Sequence, residues 1–275
     1  MSRRHRGSYK HNERNAQVHD LIMGRNCIEE VLKHCPERLE RAYLAESRDI
    51  DGVASGARRE SIATQLAKKG VEVEYLSRQE LDSLVNSDSH QGVIAKVSPR
   101  PLLRFEDVVS LAESTDNIRL LVLDGVLDPQ NFGAVLRSAE CFGVHAVLWS
   151  KNRGAPLGPV VSKASVGASE LLPLCPVSNI HQSLEVLKRS GVWTVGAVVA
   201  PDATPLRSFE FPQKTALIMG SEGDGIQPLV EKNLDFRVFI SMEGVVSSLN
   251  VSQATTLMLY ALHSQRPNKG DVKVA

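Results

Sequence analysis

Beyond residue 104, short apolar runs with the length of β-strands alternate with longer segments of helical periodicity. Candidate strands lie at 119–123, 146–149, 192–198, 215–219 and 236–240, and candidate helices at 105–113, 131–142, 160–170, 179–190 and 251–263. Because successive parallel strands need a crossover connection, usually a helix, this alternation predicts an α/β fold with helices on both faces of a mostly parallel sheet. The first strand lacks the Gly-x-Gly-x-x-Gly turn of dinucleotide-binding folds, and the glycines at 220–225 lack the Gly-Lys-Ser/Thr of a P-loop.

A smaller α/β pattern precedes this region. Pro36 stops a helix predicted at 26–34, strict alternation predicts a strand at 71–76, and Ser77 is placed to cap a helix at 78–85. The Ser-Pro-Arg-Pro run at 98–101 is stiff and extended, so we expect a domain boundary there. The predicted organisation is a basic flexible arm at 1–19, an N-terminal α/β domain at 20–98, a linker at 99–104, a C-terminal domain at 105–266 and a tail at 267–275.

The charge of the chain is balanced overall but uneven along its length. Lys and Arg number 32 and Asp and Glu number 32, giving a formal net charge of zero. The N-terminal arm is nevertheless basic, with Arg3, Arg4, Arg6, Lys10 and Arg14 against Glu13. Such an arm would contact phosphates without sequence preference or remain a solvated tail, and a mitochondrial transit peptide is a third explanation.

The cysteines and the lengths of the apolar runs indicate the cellular compartment in which we expect the protein. Cys27, Cys35, Cys141 and Cys175 are scattered without C-x-x-C spacing, which is typical of free thiols in a reducing compartment and predicts no metal site. The sequence has no secretory signal and no apolar run of about 18 residues, so we expect a cytoplasmic protein of the bacterial type, with the mitochondrial matrix as the alternative.

Three polar segments follow predicted strands of the C-terminal region, at 124–139, 219–225 and 241–254. Each contains residues that have ordinary structural explanations when taken alone. Asn131 and Asn250 are suited to cap helices, Arg137 to lie on a helix surface, and Glu222 to precede a helix. A strand that ends in small polar residues before a helix also presents unpaired backbone N–H groups, which are suited to ligand binding.

In this order and spacing, the three segments resemble the motifs of the SpoU/TrmH family of RNA ribose 2′-O-methyltransferases, within the SPOUT class. They are similar to that family's Asn-x-Gly…Arg-(Ser/Thr)-Ala, Gly-x-Glu-x-x-Gly and Ser-Leu-Asn-Val-Ser elements. The resemblance covers about 120–266. It implies a deep C-terminal trefoil knot, S-adenosyl-L-methionine (AdoMet) as the cofactor, RNA as the substrate and a homodimer formed through the knotted domain.

The resemblance also assigns roles to individual residues. It implies catalytic roles for Asn131, Arg137, Glu222, Ser248 and Asn250. A guanidinium is a poor general base, so we expect Arg137 to hold a substrate phosphate and stabilise the developing alkoxide, while the other four orient the ribose and the loops. The implied cofactor-binding residues are Ala197, Ile218, Gly220, Glu222, Gly223, Ile240, Met242 and Leu249.

Two positions depart from the family pattern. Ser241 stands where rRNA-modifying relatives usually have Pro, and Gln253 where Val is common. Both put the rigidity of the loop or the rim of the cofactor site in doubt, although neither removes a polar catalytic position.

The N-terminal domain bears on the substrate. His90-Gln91-Gly92 resembles a motif of the rRNA-modifying branch, in which such a domain delivers RNA, and Lys96, Arg100 and Arg104 lie nearby in sequence. A plain loop ending in a Gly turn is the alternative. We therefore expect methylation of a guanosine of 23S-type rRNA, as in that branch and its mitochondrial counterparts. The alternatives are a tRNA guanosine 2′-O-methyltransferase, a resistance-type rRNA methyltransferase and a catalytically silent RNA-binding or assembly factor.

Overall fold

A computed structural model describes residues 20–46, 53–246 and 248–265; the predicted arm and the tail lie outside these ranges. The chain divides into two compact units. The first comprises the N-terminal residues to Pro101 together with Phe132–Arg137 and Pro156–Leu171, and the second comprises the rest. No helix of the described ranges is long and apolar enough to cross a membrane.

The first unit is built on a four-stranded sheet with the order β1-β4-β2-β3, in which only β2 and β3 are parallel. Its strands are β1 Leu21–Met23, β2 Leu39–Ala45, β3 Glu72–Leu76 and β4 Val93–Val97. Its N-terminal helices are α1 Arg25–His34, α2 Val53–Lys68 and α3 Arg78–Val85. The predicted cap of α3 is confirmed, since the Ser77 hydroxyl accepts from the Glu80 backbone and the Glu80 carboxylate accepts in return.

The second unit contains a seven-stranded sheet in which every neighbouring pair is parallel, so the predicted α/β architecture is confirmed. The strand order is β7-β6-β5-β10-β8-β11-β9. The strands are β5 Arg119–Asp124, β6 Ala146–Ser150, β7 Leu174–Val177, β8 Trp193–Ala197, β9 Thr204–Pro205, β10 Thr215–Gly220 and β11 Phe236–Phe239.

The remaining helices lie before, between and after these strands. They are α4 Phe105–Ser114, α5 Pro129–Cys141, α6 Pro159–Ala164, α7 Ala168–Leu171, α8 Ile180–Arg189, α9 Pro228–Glu231 and α10 Val251–Ser264, with 3-10 turns at Pro36–Arg38 and Leu206–Ser208.

Both faces of the central strands are buried. Leu120 and Val122 of β5 pack in one cluster with Leu184 of α8, while Leu121 and Leu123, which point to the opposite face, are also at most 1% exposed. A strand buried on both faces reads as a continuous apolar run, which is why β5 was visible in the sequence.

Hydrogen bonds join Asp235, the residue before β11, to the beginning of β8, and an ion pair joins it to α8. The carboxylate of Asp235 accepts from the backbone and hydroxyl of Thr194, at 2.9 and 2.7 Å, and lies 2.9 Å from Lys188 Nζ. Burial favours the neutral acid, but these hydrogen bonds outweigh it and lower the pKa of Asp235 below its ordinary value of 3.8.

One expectation about local structure was wrong. The segment 160–170 is not one helix, because Val166 and Gly167 take φ of 55° and 86° between α6 and α7. A Cβ on Gly167 would lie 3.1 Å from the Cys27 carbonyl, so close packing inside the first unit requires the break. The sequence also concealed β7, which contains Pro176, and β9; both are edge strands, where proline is tolerated.

Candidate active site

Sheet register brings two of the three polar segments together. In the parallel pairing of β5 with β10, Asp124 lies opposite Gly220, so both strands end at the same level. The segments that follow, with Asn131 on one and Glu222 on the other, therefore leave the sheet side by side at its carboxyl edge. In open α/β folds this edge is the usual position of ligand sites.

The segment after β10 is a closed loop. The Ser221 amide donates to the Gly225 carbonyl at 3.0 Å and the Gly225 amide donates to the Ser221 carbonyl at 3.2 Å. A Cβ on Gly220 would lie 2.1 Å from the Gly225 carbonyl carbon and 2.3 Å from the Ile226 nitrogen. Only glycine therefore allows the two ends of this loop to approach so closely.

A buried carboxylate fixes the far end of the same loop. Asp124, with no exposed surface, accepts from the backbone amide of Gln227 at 2.8 Å and from its side-chain amide at 2.5 Å. The loop between Gly220 and Gln227 is thus held at both ends by Asp124 and its strand. The sequence pattern assigns no role to Asp124, although an acid at the end of an apolar strand is visible there.

Three predicted catalytic residues form one hydrogen-bonded network. Glu222 Oε1 accepts from Asn131 Nδ2 at 3.0 Å, from the Val251 backbone amide at 3.3 Å and from Asn250 Nδ2. Asn250 Nδ2 also donates to Asn131 Oδ1 at 2.9 Å. Hydrogen bonds to a charged group are roughly twice as strong as neutral ones, so this carboxylate holds the three polar segments together.

The helix caps are part of this arrangement. Asp128, rather than Asn131, caps α5 by accepting from the Asn131 amide at 2.8 Å, which leaves the Asn131 side chain to the network. Asn250 caps α10 through Oδ1, which accepts from Ser252, and uses Nδ2 in the network. Asn250 therefore both caps α10 and belongs to the hydrogen-bonded network.

A cleft of about 390 Å³ opens beside the network. Pockets of about 300 to 1,000 Å³ with mixed apolar and polar walls are typical of small-molecule and cofactor sites. Its walls include Ser248 and seven of the eight residues predicted to bind the cofactor: Ala197, Gly220, Glu222, Gly223, Ile240, Met242 and Leu249.

The other predicted positions lie elsewhere. Ile218 is fully buried in β10, within the core. Arg137 is exposed on α5, six residues after Asn131 and thus about 9 Å further along the helix. Ser241 and Gln253, the two departures from the family pattern, are both exposed.

In the first unit, His90-Gln91-Gly92 forms a structural turn. His90 is 1% exposed; its Nδ1 accepts from the Gly92 amide at 2.9 Å, so the ring proton is on Nε2, which lies 2.8 Å from Asp82. Gln91 Oε1 accepts from the Arg25 amide at 3.1 Å, at the start of α1. Gly24, the N-cap residue of α1, has no side chain that could accept a hydrogen bond from the first turn, so Gln91 supplies that acceptor.

Two of the three cations near this motif in sequence are paired with carboxylates. Lys96 pairs with Glu40 at 2.9 Å and Arg104 pairs with Asp107 at 3.0 Å. Arg100 is mostly buried, and burial lowers its pKa to about 10. Among the residues that the structure describes, no group of three or more His, Cys, Asp or Glu side chains is arranged to hold a metal ion.

Comparison with known proteins gives this geometry a context. Residues 119–260 match the SpoU rRNA Methylase family, and residues 21–103 match the RNA 2′-O ribose methyltransferase substrate binding domain. The chain is 37% identical over 247 residues to the 23S rRNA (guanosine-2′-O-)-methyltransferase RlmB of Yersinia pestis, covering 90% of this chain and 98% of that protein.

Solved structures agree with the sequence matches. A structure of an RNA 2′-O ribose methyltransferase, 26% identical, aligns with a TM-score of 0.74 over 92% of this chain and 91% of that one. An AdoMet-bound rRNA methyltransferase from Sinorhizobium meliloti, 18% identical, shares the fold with a TM-score of 0.72 over 94% and 92% of the two chains. The SpoU match spans more than half of this chain and includes the whole Asn131–Glu222–Asn250 network, so the chain belongs to the SpoU rRNA methylase family.

Proposed function

We propose that this protein transfers a methyl group from AdoMet to the ribose 2′-hydroxyl of a guanosine in 23S-type rRNA. The observation that carries the proposal is the network in which Glu222 joins Asn131 and Asn250 at the wall of the cleft. Family membership and the identity to an enzyme named for this reaction support it. For such a substrate we propose a cytoplasmic location of the bacterial type, with the mitochondrial matrix as the alternative.

The cleft fits the proposed cofactor chemically. Ile240, Met242 and Leu249 provide an apolar wall, while Gly220 and Gly223 contribute backbone amides without side chains to the lining. Such amides suit the polar ends of a nucleoside and an amino acid, and the apolar residues suit the faces of a base. AdoMet supplies an electrophilic methyl group on a sulfonium.

The chain's own residues would contribute alignment and electrostatics. A ribose hydroxyl is a weak nucleophile, so positioning supplies much of the rate, with effective molarities of about 10⁵ M or more in well-aligned systems. We assign Arg137 to hold a substrate phosphate and to stabilise the developing alkoxide, because its guanidinium is exposed and carries five N–H donors. Asn131, Glu222 and Asn250 fix the loops, and Ser248, exposed in the cleft wall, would orient the ribose.

We further propose that the C-terminal part of the second unit forms the trefoil knot of the SPOUT class. β11 lies between β8 and β9, yet Asn250, eleven residues after its end, is hydrogen-bonded to Asn131 of α5, the helix that follows β5, and to Glu222 in the loop that follows β10. The chain therefore returns across the sheet before α10 begins, as a knotted path requires.

We propose a homodimer that pairs through α10. Leu257 and Tyr260 on this helix are 43% and 58% exposed, and Tyr260 stacks edge-on against Phe142. An apolar helix face of this kind is suited to a self-complementary interface.

The domain division that we propose is an RNA-binding domain at 20–98, a linker at 99–104 and a methyltransferase domain at 105–266.

The test is methyl transfer from labelled AdoMet to rRNA from cells that lack the gene, followed by mapping of the methylated ribose. We expect one 2′-O-methylguanosine in large-subunit rRNA. A product only in tRNA would contradict the proposed substrate, and no AdoMet binding with no transfer would contradict the proposed reaction.

A further inference from the structure

The loop that follows β6, residues 151–155, is called the basic loop here because it carries two exposed cations, Lys151 and Arg153. Neither has a carboxylate within ion-pair distance among the described residues. Three other cations of the second unit are paired with a carboxylate, namely Arg104 with Asp107, Lys188 with Asp235 and Arg237 with Asp202, whereas exposed Arg207 and Lys232 have no ion pair among the described residues.

The backbone of the basic loop is closely fixed. The Lys151 amide donates to the Val177 carbonyl at 2.9 Å, and the Arg153 amide donates to Ser150 Oγ at 3.2 Å. A Cβ on Gly154 would lie 2.7 Å from both the Ser150 carbonyl oxygen and Trp149 Cδ1, so the loop packs directly against its own strand. Cations on a fixed backbone lose less conformational freedom on binding than cations on a mobile loop.

The basic loop also lies beside the site. β6 neighbours β5 in the parallel sheet, so its carboxyl end lies at the same edge as Asp124. The Ala155 amide donates to the Val126 carbonyl at 2.9 Å, which joins the loop to the segment that leads to Asn131. A backbone hydrogen bond thus links the loop that carries the two cations to the segment that carries Asn131.

We propose that Lys151 and Arg153 form a contact surface for the phosphates of an unpaired RNA strand next to the methylated nucleotide. The inference rests on the proposed function and adds to it the part of the second unit that holds the RNA backbone. Phosphate contacts position a nucleic acid without reading its bases, and an arginine fork matches phosphate geometry. Asn152, exposed between the two cations, adds a neutral donor.

The experiment uses the full chain and an unmodified 23S rRNA fragment that contains the mapped target. RNA affinity is measured at several salt concentrations for the unaltered protein and for Lys151→Ala with Arg153→Ala. We expect about tenfold weaker binding, and a slope of log affinity against log salt that falls by about 1.4, since each phosphate contact to a single strand contributes about 0.7. AdoMet affinity and Tm should remain unchanged.

The matched control is Lys232→Ala with Arg207→Ala. These residues are also an exposed lysine and an exposed arginine of the second unit, and the net charge changes equally. An equal loss of RNA binding in both double variants would overturn the proposal, because it would reflect overall charge alone. Unchanged binding in the basic-loop variant would also overturn it.

Methyl transfer by the unaltered protein, measured on the same RNA, separates this inference from the proposed function. Transfer together with unchanged binding by the basic-loop variant overturns only the contact surface. Absence of transfer to any RNA overturns both.

Discussion

Gly220→Ala tests whether the closed loop after β10 is required for the reaction. The added methyl carbon would lie 2.1 Å from the Gly225 carbonyl carbon, whereas ordinary contact begins at 3.4 Å, so the two backbone segments must separate by about 1.3 Å. The obstacle is backbone and not the end of a flexible side chain. Overpacking of this kind costs about 1 to 3 kcal/mol, and a displacement of about 1 Å in a site can lower a rate by about 100-fold.

The expected result is a folded protein with weaker AdoMet binding and a kcat/KM for methyl transfer about 100-fold lower. Calorimetric titration with AdoMet, thermal unfolding and labelled-methyl transfer measure the three quantities. The control is Gly56→Ala in α2, where a Cβ meets no atom within 4 Å and alanine favours the helix. If Gly220→Ala kept kcat/KM within about threefold and bound AdoMet normally, the loop geometry described above would not be needed.

Three further predictions concern other residues. Arg137→Ala should bind AdoMet normally but lose about 100-fold or more in transfer rate, because one donor to a developing charge is removed; unchanged turnover would contradict the assignment. The lowered pKa of Asp235 makes its contribution to stability complete above about pH 4 and lost as the pH falls through the folded-state pKa, so acid unfolding monitored by circular dichroism should be less pH-dependent in Asp235→Asn. Iodoacetamide at pH 8 should modify exposed Cys141 first and spare Cys175, whose thiol pKa burial raises to about 11; mass spectrometry of the alkylated peptides checks the order.

The sequence predicted the parts of the fold that local pattern determines. β5 and β10 were visible because strands buried on both faces are continuous apolar runs, and α3 was visible through its Ser77 cap. β7 was missed because Pro176 opposes a strand assignment unless the strand is known to be at an edge, which is a property of the whole sheet.

The site was predictable by residue type but not by contact. Motif resemblance named Asn131, Glu222 and Asn250, but the shared carboxylate oxygen depends on three segments far apart in sequence. The clamp between Asp124 and Gln227 was missed for the same reason, since neither residue has a local partner in the pattern. Only the register of β5 against β10 brings these groups together.

The position of β10 in the sheet determines when this domain can assemble during synthesis. β10 is hydrogen-bonded to both β5 and β8, and in the described part of the chain no other strand joins those two halves of the sheet. Until residues 215–220 have left the ribosome, β5 and β8 each present an open edge, which is a template for pairing with other chains. Long-range parallel pairing is intrinsically slow, so a nascent chain halted before residue 215 would hold one fragment of three strands, β5, β6 and β7, and a β8 strand whose partners β10 and β11 are still missing. Both need protection from aggregation, and the last quarter of the chain completes the domain.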